Sequence, residues 1–220
     1  MSDRIEPPFH SPPRLLDLFC GAGGAAVGYA AAGFVPVGVD HRPQPRYPFT
    51  FIHADVFDID WSEFDAIHAS PPCQMYSRQT VMHDRSVYPD LIARTRQRLE
   101  EQDVPWVIEN VPGAPLENYV QVCGSGLGMV RIRRHRWFES NIALWGVPCA
   151  HGQNAAILAV TGHSENGGEG KVGPGWLTVD RVEAMGIDWM QRDELSLAVP
   201  PAFTEFIGEQ LIRTVMADAE

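Results

Sequence analysis

A chain of 220 residues with 45% hydrophobic content can bury one substantial core without disulfides or metals to hold it. Its formal net charge of −11 excludes a surface that grips polyanions everywhere, because phosphate affinity is built from accumulated Lys and Arg. The four cysteines, Cys20, Cys73, Cys123 and Cys149, stand far apart with no CxxC pair, so neither a zinc ribbon nor a secreted disulfide framework is expected.

Met1 to Pro13 is polar and proline-rich and lacks the apolar centre of a signal peptide, and no later stretch approaches a membrane span. The expectation is a cytoplasmic protein with no membrane partner, folded as one domain over 1–220. Arg14 to Phe19 reads as a first strand, followed by the turn Cys20-Gly21-Ala22-Gly23-Gly24 and a small-residue helix from Ala25 to Ala32. Glycines there let the backbone bend tightly and approach a ligand, and Ala26, Ala30 and Ala31 let the helix lie close to a sheet. Val35 to Val39 reads as a second strand ending at Asp40, about 20 residues past the turn, where an acidic side chain typically takes ribose hydroxyls. This strand, glycine turn, helix and strand make a nucleoside-cofactor half-fold, and the turn alone does not separate NAD from S-adenosylmethionine.

Phe49 to His53 is a third strand, followed by Asp55, suited either to accept from an adenine amine or simply to form a turn. Phe64 to Ala69 is a fourth, short and buried, and it delivers Ser70-Pro71-Pro72-Cys73-Gln74 to the carboxyl edge of the sheet, where open α/β folds hold their ligands. The two prolines fix φ and remove two backbone donors, so the thiol is presented on a stiff turn. An inert, buried cysteine would have the same local sequence. Met75 to Tyr88, with Ser77, Arg78, His83 and Arg85, reads as a polar loop that closes over a substrate.

Pro89 to Gln102 is an amphipathic helix with Leu91, Ile92, Thr95 and Leu99 on one side. Trp106-Val107-Ile108-Glu109-Asn110-Val111 is a strand that ends in a carboxylate and an amide before Pro112. A helix-crossed pair of parallel strands brings its ends together, so Cys73 and Glu109 are expected to converge on one pocket. Arg131, Arg133, Arg134 and Arg136 then crowd around His135, either a local anion grip within an acidic protein or simply a solvated face. Cys149 and His151 hint at a metal, but spacing supplies no second pair, so no metal is expected. Residues 162–175 are glycine-rich and read as a loop, and Pro201 to Ala217 is a C-terminal amphipathic helix.

In order along the chain, Asp17-Leu18-Phe19-Cys20-Gly21-Ala22-Gly23-Gly24, Pro72-Cys73-Gln74 and Glu109-Asn110-Val111 resemble the cofactor loop and the catalytic motifs of the DNA (cytosine-5)-methyltransferases. Arg134-His135-Arg136-Trp137-Phe138 resembles that family's two-arginine strand, with Ile132 where a glutamine usually stands. Trp176-Leu177-Thr178 with Glu183-Ala184-Met185-Gly186 resembles a shortened penultimate motif. Ala198-Val199-Pro200-Pro201 resembles the last motif, with Ser196-Leu197 where Gly-Asn is common. The resemblance implies an α/β, Rossmann-like S-adenosylmethionine-dependent methyltransferase fold, with a mostly parallel sheet and helices on both faces. The chain resembles the compact form that bacteriophages and prophages carry, with residues 140–176 a short remnant in place of the target-recognition domain.

The resemblance further implies roles. Phe19, Gly21, Ala22, Gly23, Gly24, Asp40, Asp55, Val56, Pro72 and Val199 would line the S-adenosylmethionine site. Cys73 would add to C6 of an extruded cytosine, Glu109 would hold a proton against N3, Asn110 would position the ring, Arg136 would donate to O2 and Arg134 would support it. Gln74, Ser77, Arg78 and Arg85 would meet double-stranded DNA. With so reduced a recognition region, the expectation is short-site specificity or a recognition subunit supplied in trans. Three other readings stay open on sequence: an NAD-dependent oxidoreductase with a Cys-Glu-Asn site, a tRNA cytosine-5 methyltransferase, and a non-catalytic nucleic-acid-binding relative.

Overall fold

The computed structural model describes residues 11–76, 89–129, 132–152 and 178–217. Seven strands form one sheet in the order β3-β2-β1-β4-β5-β7-β6. They are β1 (Arg14–Leu18), β2 (Val35–Asp40), β3 (Thr50–His53), β4 (Ala66–Ala69), β5 (Trp106–Asn110), β6 (Val120–Cys123) and β7 (His135–Ser140). The first five run parallel, and β7 enters antiparallel between β5 and β6. This is a Rossmann-like, doubly wound α/β sheet. Its strand order reverses between β1 and β4, and that reversal opens a crevice at the carboxyl ends of the strands.

The helices are α1 (Gly24–Ala31), α2 (Ile92–Glu100), α3 (Thr178–Met185), α4 (Arg192–Leu197) and α5 (Pro201–Ala217). Strand residues alternate between two cores, as a period of two requires. Leu15, Ala66, Val107 and Phe138 pack with Tyr29 of α1 and with Phe203, Ile207 and Leu211 of α5. Leu16, Leu18, Ile67, Ala69 and Ile108 pack on the opposite face with Ile92 and Leu99 of α2 and with Val56, Trp61 and Phe64. Helices therefore cover both faces. A third, small cluster joins Ile132 to Met185, Ile187 and Leu195.

The close packing of α1 on α5 has a steric cause. A Cβ at Gly28 would lie 2.2 Å from the Pro201 carbonyl oxygen and 2.2 Å from Thr204 Oγ1, so only glycine admits this approach. Helix α2 starts at Ile92 rather than at Pro89, because the Asp90 carboxylate accepts the Ile92 amide and turns the chain before the first helical residue. Sequence pattern missed β6 and α4, as it did the 3-10 turn at Gly124–Leu127. The first is a four-residue edge strand and the second a six-residue helix, each too short to show a period. Among the described residues no helix is long and apolar enough to cross a membrane.

Candidate active site

Three turns meet at the switch point. The first follows β1. Phe19 takes a left-handed backbone (φ 58°), rare for a non-glycine residue, and Gly21 and Gly23 follow at φ 49° and 85°. A Cβ at Gly23 would collide with Pro48 Cδ at 2.6 Å, and one at Gly24 with the Val199 carbonyl oxygen at 2.4 Å. At Gly21 a Cβ would meet nothing within 4 Å, so the exposed side of this turn is open. Trp189 reaches across to donate its indole N–H to the Ala22 carbonyl at 2.8 Å. This roof over the turn was not legible in the sequence, since a lone Trp 167 positions away carries no local signal.

Asp40, at the end of β2, is buried and accepts from the amide of Gly21 at 3.1 Å and from that of Arg42 at 2.9 Å. Its carboxylate thus fixes the glycine turn, and each oxygen keeps lone-pair capacity for hydroxyl donors. Asp55 is exposed and caps a turn through the Phe57 amide at 2.9 Å, so turn formation accounts for the contact it makes here. Val56 buries its side chain in the core, and its carbonyl accepts from the Trp61 indole at 2.8 Å. Val199 meets the turn through its backbone at Gly24.

The second turn follows β4. The Ser70 amide donates to Leu18 O at 3.2 Å, which joins it to the end of β1, and Pro71 is buried while Pro72 and Cys73 are half-buried. Beneath it runs a buried chain of hydrogen bonds. Tyr29 Oη lies 2.9 Å from His68 Nδ1, and His68 Nε2 lies 2.8 Å from Ser70 Oγ. Burial pushes the His68 pKa down to about 3, so the ring is neutral and can donate from one nitrogen while accepting at the other. Burial likewise raises the Cys73 thiol above its ordinary value, and Glu109 adds to this, while the Arg136 and Arg134 cations act against it. Gln74 has a buried side-chain oxygen with no hydrogen-bond partner, so an acceptor next to the thiol is left free.

The third turn follows β5. Asn110 is buried; its amide nitrogen donates to the Pro71 carbonyl at 2.9 Å and its amide oxygen accepts from the Val111 N–H at 2.9 Å. Asn110 therefore holds the turn that carries Cys73. Glu109, on the opposite face of β5, lies 2.6 Å from Arg136 Nε. The N–H is not aligned on the carboxylate oxygen, Oε1, which remains buried without a hydrogen bond. Arg134 is anchored from below, donating to Met185 Sδ at 3.2 Å and to the Ser196 carbonyl at 2.9 Å. Burial and the like charge of Arg136 press its pKa down to about 9, which leaves it cationic at neutral pH.

Ile132, standing where the family pattern has glutamine, is buried beside Met185 and Leu195 and so serves as core. Ser77, Arg78, Arg85 and Arg131 lie outside the described residues, as do most of the expected closing loop and residues 153–177. One expectation is overturned. Cys149 and His151 do have a second pair: Cys123 and His135 bring their ligand atoms within 4.8 Å of them and of each other. The separation in sequence was misleading because Cys123 and His135 are cross-strand partners on β6 and β7.

The sequence matches the family model for C-5 cytosine-specific DNA methylase over residues 14–119. It is 26% identical over 131 residues to the type II methylase M.HgiDII of Herpetosiphon aurantiacus, an alignment covering 49% of this chain and 37% of that one. The chain thus spans well under half the length of the curated relative it matches. The fold is shared with the S. pombe Dnmt2 methyltransferase at a TM-score of 0.60 and 12% identity, over 92% of this chain and 99% of that one. It is shared with the Entamoeba histolytica methyltransferase EhMeth at a TM-score of 0.55 and 12% identity, over 96% and 100%.

Proposed function

We propose, from the match of residues 14–119 to the family model for C-5 cytosine-specific DNA methylase, that the chain transfers a methyl group from S-adenosylmethionine to C5 of a cytosine in DNA. The observation that carries this reading is the meeting of three turns at one switch point: the open glycine turn after β1, the Cys73 turn after β4, and the Glu109–Arg136 pair at β5 and β7. The residues present fit the cofactor. The Gly21 side of the first turn leaves room where a Cβ would sit, and Phe19, Asp40 and Trp189 frame it. S-adenosylmethionine, when bound, supplies an electrophilic methyl group.

The chain's own residues do the rest. C5 of cytosine is a weak nucleophile, and Cys73 activates it by forming an S–C6 bond that breaks the conjugation of the ring. The buried Glu109 carboxyl faces the edge of the base and holds a proton against N3 as negative charge grows in the ring. Arg136 donates to O2, a donor fixed in a site largely shielded from water. After C5 has taken the methyl group, a base takes its proton, and departure of the Cys73 sulfur as thiolate restores the double bond. Because a stacked base hides C6, the cytosine must leave the helix to reach the thiol. Asn110 and the Tyr29–His68–Ser70 chain keep the Cys73 turn in place throughout.

Incubation of the protein with methyl-labelled S-adenosylmethionine and either duplex DNA or tRNA tests the reading. Label in 5-methylcytosine of DNA, absent with Cys73→Ser, is the expected result. Label only in tRNA would move the chemistry to RNA, and label in DNA with Cys73→Ser would refute the assigned nucleophile. DNA carrying 5-fluorocytosine should trap the protein covalently, since the C5 fluorine cannot leave as a proton does.

A further inference from the structure

Cys123, His135, Cys149 and His151 form a cluster that the methyl-transfer reading does not use. Cys123 ends β6 and is buried; His135 opens β7 directly opposite it. The segment carrying Cys149 and His151 is pinned against the same strands. The Val147 amide donates to Gln121 O at 3.0 Å, and the Cys123 amide donates back to Val147 O at 3.2 Å. Gly146 and Gly126 make this approach possible, since a Cβ at either would lie 2.3 Å from a backbone oxygen, of Gln121 and Pro148 respectively. Ser125 Oγ accepts the Ala150 amide at 3.0 Å, and Arg133 donates to the Gly152 carbonyl at 3.2 Å.

Two nitrogens and two sulfurs thus gather within 4.8 Å of one another. His135 Nε2 lies 3.1 Å from Cys149 Sγ, and the two imidazoles meet edge to face at 5.6 Å between centroids. His151 Nε2 is buried with no hydrogen-bond partner, a costly state for an imidazole nitrogen unless another ligand takes its lone pair. A tetrahedral ion with metal–ligand bonds of about 2.0–2.3 Å places its ligand atoms roughly 3.3–3.8 Å apart, close to this gathering.

We propose that these four side chains form a closed Cys2His2 site for a structural Zn2+ ion. Two thiolates and two neutral imidazoles match the ligand set zinc favours, and four protein ligands leave no open position for catalysis. The ion would staple the 145–152 segment to the β6–β7 pair. Its consequence for the active site follows from adjacency. His135 precedes Arg136 and follows Arg134, so fixing His135 fixes the point at which the two-arginine strand enters the sheet. The proposal stands apart from the methyl-transfer reading, because its readout is metal content and stability.

The full chain, purified without a metal-affinity step, should carry one zinc per chain by elemental analysis. Cys149→Ser and His151→Ala, both at the accessible side of the cluster, should bring zinc to background, while Cys73→Ser keeps it. Stripping with a chelator should lower Tm by about 5 °C or more, and Zn2+ alone should restore it. Co2+ in place of zinc should give the visible bands of a tetrahedral centre with thiolate ligands. Equal zinc content in wild type and both cluster variants would overturn the proposal. So would stripped protein that neither binds Zn2+ nor gains stability from it, or a native chain two hydrogens lighter through a Cys123–Cys149 disulfide.

Discussion

Glu109 on β5 stands directly opposite Phe138 on β7, and Arg136, two residues from Phe138 on the same face, is its diagonal neighbour at 2.6 Å. A register slip of one residue would send Arg136 to the other face of the sheet. The pair holds its charges beside Cys73 before any substrate arrives, so a base entering the pocket must take over interactions that the two side chains now give each other. Glu109→Gln should lower the methyl-transfer rate by about 10²- to 10⁴-fold. Arg136→Met should lower it by about 10²- to 10³-fold, while S-adenosylmethionine affinity by calorimetry stays within a few-fold of wild type. Rates near wild type in either variant would remove the pair from the mechanism.

Cys73 is held above its ordinary pKa chiefly by burial. A raised thiol pKa means little thiolate at neutral pH and more as pH rises, so alkylation of Cys73 by iodoacetamide, followed by peptide mapping, should still be accelerating above the range where an exposed thiol levels off. Arg136→Met removes a cation that lowers the thiol pKa and should move the profile further upward. A profile already level at pH 7 would contradict the burial argument.

Asp17 lies beneath the glycine turn, fully buried, and burial raises its pKa to about 8 from 3.8. The folded chain therefore keeps a proton that the unfolded chain has released, and the stability this contributes is present below pH 3.8 and lost as pH rises toward 8. His68, held neutral by a lowered pKa, works in the opposite direction, but only below the unfolded imidazole value of 6.5. Between pH 6.5 and 8 Asp17 acts without that opposition, and wild type should lose on the order of 1 kcal/mol per pH unit there. Asp17→Asn, whose amide oxygen can still accept from Tyr47, should flatten the slope in urea titrations; an unchanged slope would assign the pH dependence elsewhere.

The Tyr29–His68–Ser70 chain supports the Cys73 turn from inside the core. His68→Leu leaves a tyrosine hydroxyl and a serine hydroxyl without their partner, at a cost of about 1–3 kcal/mol, measurable by denaturant unfolding. His68→Gln can restore part of the pairing. If the chain positions the turn, the methyl-transfer rate should fall more in the leucine variant than in the glutamine variant, with substrate KM little changed. Equal rates in both would reduce His68 to a packing residue.

Local order fixed much of this protein in advance. The strand, glycine turn and helix at 14–32, the proline-stiffened Cys73 turn and the Glu109-Asn110 strand end could be read directly, because each depends on neighbours within a few positions. So could the convergence of Cys73 and Glu109, since parallel strands joined by a helix must end at the same edge. The tertiary structure alone decided what those residues touch. Asn110 turned out to be tied to Pro71, Trp189 to roof the Ala22 carbonyl, and Ile132 to be core. Most of all, it gathered Cys123, His135, Cys149 and His151, whose spacing follows no metal motif. An antiparallel register and a pinned loop brought them together, and cross-strand pairing leaves no periodic trace in the chain that a reading of intervals could detect.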